Sequence, residues 1–101
     1  MVKKLYLPNI FLFEWDEGNL SHIRKHNVEY SECENVFYDE PIFFYDESHS
    51  LEEDRFLIYG VTDAKKELTL VFTVRKDKIR VITARNQSRR EKQAYFVDDK
   101  E

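Results

Sequence analysis

The sequence predicts a small α+β domain, with a twisted antiparallel sheet packed by two N-terminal helices and one C-terminal helix. Three observations lead there. Two short segments near the start open on capping residues and carry apolar side chains at helical spacing. Three strand-like runs follow, joined by connections too short for a crossover. A final segment opens on another capping signal. With 101 residues, 42% hydrophobic and 15% aromatic, the chain has material for a single core and predicts one domain over residues 1–101. Two Gly and two Pro argue against a linker-rich architecture.

Residues 1–12 read as an N-terminal extension or an extra strand. Ile10 to Trp15 alternates, with Phe11, Phe13 and Trp15 on one face and Ile10, Leu12 and Glu14 on the other, which predicts a strand. Asp16 is the expected N-cap of a short helix through His26, stopped by Asn27 and buried along Leu20 and Ile23. Ser31 and Glu34 have capping-box spacing and predict a second helix to about Tyr38, burying Cys33, Val36 and Phe37 and ended by Pro41. Ile42 to Tyr45 is a short strand and His49 to Asp54 a polar loop. Arg55–Thr62, Glu67–Arg75 and Lys78–Arg85 then form an antiparallel meander. In its middle strand Leu68, Leu70, Phe72 and Val74 make an unbroken apolar face. Thr69, Val71 and Thr73 make the reverse face mixed and only partly covered. The last helix, Ser88 to about Val97, is mostly polar and must dock through Ala94, Tyr95 or Phe96.

Charge is unevenly distributed. The formal net charge is −4, yet Glu14 to Asp54 holds 13 acids against 2 bases, and Arg75 to Gln93 holds 8 bases against 2 acids. Local fields decide binding more than the total does, so the basic end is where phosphate would bind. A single cysteine, Cys33, excludes an internal disulfide and fits a reducing cytoplasm. The first residues make a poor signal peptide, and no apolar run reaches the ~20 residues of a membrane span, so no membrane partner is expected.

The segment Lys78 to Tyr95, KIRVITARNQSRREKQAY, concentrates the chemistry. Ser88 and Glu91 form an S-x-x-E capping box, which puts Arg89 and Arg90 in the first helical turn. Cations there oppose the macrodipole at roughly 0.3–1 kcal/mol each, a cost that an anion bound at the same turn would offset.

FEWDEGN (Phe13–Asn19), KHNV (Lys25–Val28), HS (His49–Ser50), DRFLIYG (Asp54–Gly60) and VFTVRKDKIRVITAR (Val71–Arg85) occur in that order, followed by Glu91 and Tyr95. Together these residues resemble the BrnT toxins of bacterial type II toxin–antitoxin systems. The chain departs from many members in a shorter first helix and in Asn27, where a glycine is common. The resemblance implies a RelE-like ribonuclease fold that cleaves RNA without a metal or other cofactor and so stops growth. It also implies a BrnA-like antitoxin whose ribbon-helix-helix portion binds DNA, so that DNA is met only through the partner.

Such cleavage needs a base for the 2′-hydroxyl, cations for the developing phosphorane charge and an acid for the leaving oxygen. Arg80 and Arg85 are the expected phosphate clamp, since a guanidinium fork grips two oxygens at once. Their strand parities differ, so a bulge or the strand's end must re-aim one of them. His26, His49, Glu91 and Tyr95 are the base and acid candidates, and the resemblance supports His26. Lys25, Arg89, Arg90 and Tyr95 are expected to contact RNA, Tyr95 by stacking. Glu91 has an ordinary explanation as a capping partner, and His26 as a helix-end histidine. His22 and His26 have i,i+4 spacing but no evident third ligand, so no metal is expected. Cys33 reads as a small buried residue. The alternative function is a non-catalytic relative that keeps only a surface for its DNA-binding antitoxin. An autonomous DNA-binding regulator is weaker, because no helix-turn-helix pattern is present.

Overall fold

The computed structural model describes the backbone of residues 11–99 and the side chains of residues 11–94. Most of the expected extension, and Ile10 at the head of the first expected strand, lie outside the described residues. The elements are α1 (Glu17–Arg24), α2 (Tyr30–Tyr38), β1 (Ile42–Tyr45), β2 (Phe56–Val61), β3 (Glu67–Arg75), β4 (Lys78–Asn86) and α3 (Arg89–Asp99). The four strands form one antiparallel sheet in the order β1-β2-β3-β4; short connections join β2, β3 and β4 as expected, and β1 adds to β2 across the longer loop 46–55.

Capping residues open each helix. The Asp16 side chain accepts from the Asn19 amide while the Asn19 side chain accepts from the Asp16 amide. Asn27 takes the left-handed conformation at φ 60° just beyond α1, the role expected of it, although the helix ends two residues before His26. Asn19 rather than Leu20 joins Ile23 in the buried stripe. Its amide is used up by the cap and by the Glu14 carbonyl, which makes its burial tolerable. The second helix opens earlier than Ser31. Glu29 is its N-cap, with its amide donating to the Glu32 carboxylate, and Ser31 is left exposed. Before α3 the Ser88–Glu91 box forms as its spacing dictates.

Ile10–Trp15 does not become a full strand. Phe13 makes one isolated parallel bridge to Ile79, with flanking bonds from the Glu14 and Ile79 amides. Its expected inner face nevertheless packs: Phe11 and Phe13 meet Phe37, and the Trp15 indole donates to Glu34.

The core lies between one sheet face and α1 and α2. Ile23, Val36, Ile58, Leu68, Leu70, Phe72 and Val81 are fully buried there. Val74 is 44% exposed, because β3 runs past the core into its hairpin. Gly60 marks a close approach of β2 to α2, since a Cβ at that position would stand 2.5 Å from Val36 Cγ1. Lys76 and Asp77 both take positive φ, giving the two-residue turn that joins β3 to β4 without splaying them.

Candidate active site on the outer sheet face

One irregularity organises the other face of the sheet. The register changes between Val71/Phe72: Val71 pairs with Thr83 but Phe72 with Val81, so Ile82 is the extra residue of a bulge. The bulge cancels the parity difference between Arg80 and Arg85. They pair with Thr73 and Thr69, which share a face, so both arginines leave the sheet on the side opposite the core, with the Arg80 guanidinium reaching back to Asp16 at the N-terminus of α1. Arg75 shares that face by the alternation of β3, and Arg55 by the alternation of β2. Arg80 and Arg85 are separated by roughly 13 Å along the strand, at ~3.3 Å per residue of the partner β3.

This face is bracketed at its two ends. At one end the loop 46–55 folds over it, and the Thr73 hydroxyl donates to the Asp54 carbonyl at 2.7 Å. At the other end α3 sits over Arg85. Thr69 and Thr73 are therefore only 1% exposed, a fuller covering than the mixed pattern predicts. Between the brackets Leu57, Val71 and Thr83 form a half-buried floor.

The loop end contains a cleft of about 550 Å3 lined by His49, Leu51, Glu53, Arg55 and Arg75, among others. His49 closes a one-turn 3-10 helix, Glu47–His49. Its Nδ1 lies 2.9 and 3.1 Å from the two carboxylate oxygens of Asp46. Arg75 grips Glu53 through both Nε and Nη2, and its guanidinium holds the Glu53 carboxyl below the ordinary range. Arg55 holds no carboxylate in a direct ion pair among the described residues, but its charge also helps to lower the Glu53 pKa. Arg80 stands beside this end, bonded to Asp16 at 2.8 and 3.0 Å and to Glu14 at 3.0 Å. That guanidinium lowers the Asp16 pKa, and Asp16 and Glu14 also act on Arg75, which ties the two arginines into one electrostatic group.

At the far end Arg85 holds Glu91 in a bidentate pair at 2.6 and 2.8 Å. Burial pushes the Glu91 carboxyl up, but bonds from Arg85 and the Ser88 amide outweigh it and bring the pKa down to about 2. Glu91 is thus both a capping residue and the partner of Arg85, roles that hold it ionised.

The structure brings His49 to the end of the face where Arg80 stands, with Arg85 and Glu91 at the other end. His26 is exposed beyond α1, its ring 6.2 Å from that of His22, and Lys25 is the exposed C-cap. Arg89 and Arg90 are exposed on the first turn of α3. The Tyr95 side chain lies outside the described residues. Cys33 is buried, and burial pushes its thiol up to about 12, which suits a packing residue. Sequence reasoning missed Arg55 and Arg75. Strand parity set Arg75 on the face of Thr69, Val71 and Thr73, but nothing in the sequence brought Arg55 beside it before the loop 46–55 was in place. Among the described residues no group of three or more ligating side chains could hold a metal ion, and no helix is long and apolar enough to cross a membrane.

No curated protein matches the chain. A family model described as "Ribonuclease toxin, BrnT, of type II toxin-antitoxin system" matches residues 15–91, from the edge of the Arg80 cluster to the partner of Arg85. The chain therefore belongs to the BrnT family of ribonuclease toxins of type II toxin–antitoxin systems, a family that implies RNA as substrate and an antitoxin as partner.

Proposed function

We propose that this chain is a metal-independent endoribonuclease whose reaction takes place at the loop end of the outer sheet face. The observation that carries this reading is that His49, Arg55 and Arg75 line one cleft, with Arg80 on the same sheet face beside it. In this reading His49 Nε2 takes the proton of a ribose 2′-hydroxyl. The freed oxygen attacks the adjacent phosphorus, and the bond from phosphorus to the 5′ oxygen breaks, with a proton supplied from water. Arg55 is the first grip on the phosphate, since it has no direct ion pair to break, only the longer-range pull of Glu53. Arg75 and Arg80 then stabilise charge on the equatorial oxygens.

Arg85, Arg89 and Arg90 would carry the flanking RNA rather than the reaction. At roughly 3.4 Å of rise per stacked nucleotide, the ~13 Å between Arg80 and Arg85 spans about four nucleotides. His26 and Lys25 fall to a peripheral part in RNA binding. A BrnA-like antitoxin would neutralise the toxin by covering this face, and DNA would be reached only through it.

A non-catalytic partner-binding role has one observation in its favour: Arg75, Arg80 and Arg85 each already hold a carboxylate. Product chemistry separates the two readings. Purified chain incubated with single-stranded RNA in excess chelator is expected to leave 2′,3′-cyclic phosphate and 5′-hydroxyl ends, and Arg55→Ala to slow this at least about tenfold. Intact RNA, or cleavage that chelator abolishes, would overturn the proposal.

A further inference from the structure

We propose that Asp46 is a positioning residue that fixes the tautomer of His49, so that Nε2 is the nitrogen left to take the 2′-hydroxyl proton. The inference rests on the reading of the cleft given above and concerns how that reading is made to work. A carboxylate accepts hydrogen bonds and has none to donate. With Nδ1 at 2.9 Å from one Asp46 oxygen and 3.1 Å from the other, the favourable arrangement has the proton on Nδ1. The lone pair of the neutral ring then sits on Nε2, on the side of the ring away from Asp46. The Ser48 hydroxyl, 3.1 Å from both Asp46 Oδ1 and His49 Nδ1, donates to the carboxylate and leaves this assignment undisturbed.

Burial divides the pair in the same sense. The Asp46 side chain is 11% exposed and that of His49 is 68% exposed, so the carboxylate is spent on the ring while the ring faces outward. The loop that carries both is fastened at its base. The Asp46 amide donates to the Arg55 carbonyl at 2.8 Å. Ser50 Oγ donates to the Asp46 carbonyl at 2.6 Å and accepts from the Arg55 amide at 2.8 Å. These three bonds connect the backbone of Asp46 to that of Arg55, a residue lining the cleft, so imidazole and guanidinium are positioned from one clasp. The chain thus contains an orienting acid, a proton acceptor and a cation within ten residues, Asp46 to Arg55.

Two measurements test this on the full chain. Nitrogen-15 NMR of the wild-type protein, at a pH where the ring is neutral, is expected to show His49 protonated at Nδ1 and bare at Nε2. Asp46→Asn, whose amide can either accept or donate, is expected to give a mixture of tautomers. Its kcat on an RNA oligonucleotide should fall roughly 10–100-fold, with KM within about twofold and an unchanged melting temperature. A wild-type ring protonated at Nε2 would overturn the assignment, whatever the variant does. Wild-type kcat in Asp46→Asn alongside a crippled His49→Ala would overturn the positioning role alone. Wild-type kcat in His49→Ala would instead remove the cleft reading on which it depends.

Discussion

Arg75, Arg80 and Arg85 line the outer sheet face, and each already holds a carboxylate drawn from outside the sheet: Glu53 from the loop, Glu14 and Asp16 from the N-terminal segment, Glu91 from α3. RNA phosphate must therefore exchange with an internal anion at each of them. Asp16→Asn tests this cleanly, because asparagine keeps the cap on α1 while removing the charge that competes for Arg80. It is expected to tighten RNA binding about two- to fivefold at low salt, the range of an exposed ion pair; unchanged or weaker binding would mean that Asp16 holds Arg80 in place for the ligand. Acid acts on the same pairs. Glu91 and Asp16 have pKa values lowered in the folded chain, so their contribution to stability is complete above the unfolded value of about 4.5 for Glu and 3.8 for Asp. It is lost as pH falls toward the folded values. The melting temperature is expected to drop between about pH 5 and pH 2, and Arg85→Ala should flatten the part of that drop owed to Glu91.

At the scale of the elements, α2 is seated by a missing side chain. A methyl at residue 60 would meet Val36 Cγ1 at 2.5 Å, inside any real contact, so Gly60→Ala must push α2 off β2. It is expected to cost about 1–3 kcal/mol in chemical denaturation, and a neutral effect would show the helix free to shift. Much of this level was legible in the sequence. The Ser88–Glu91 box, the Asn27 stop and the three-strand meander follow from local chemistry that tertiary contacts leave alone. The start of α2 was not, because Glu29 and Glu32 make a cap of an unusual pair while Ser31 and Glu34 have the familiar spacing. The Ile82 bulge had no local signal of its own. That it was needed followed from the parities of Arg80 and Arg85, and where it fell is decided by pairing across to Val71 and Phe72. Arg55 and Arg75 were overlooked for a related reason: their cleft exists only once the loop 46–55 folds over the end of β3.

For the molecule as a whole, a net charge of −4 coexists with a face of arginines paired to carboxylates, and salt reports whether RNA phosphate takes the place of those anions. If two to three phosphates are neutralised along the outer face, the logarithm of the affinity should fall against that of salt with a slope of roughly −1.4 to −2.1. A flat dependence would point away from a phosphate-led contact. Position ranks the histidines: His49 sits in the cleft with two arginines, and His26 stands outside it with His22. The most direct measurement is the single-turnover rate of RNA cleavage by His49→Ala set against that by His26→Ala, both confirmed as folded. The expected result is a loss of about 10²–10⁴-fold for the first and less than about threefold for the second. Full activity in His49→Ala, or the larger loss in His26→Ala, would contradict the placement of the reaction at the loop end of the sheet.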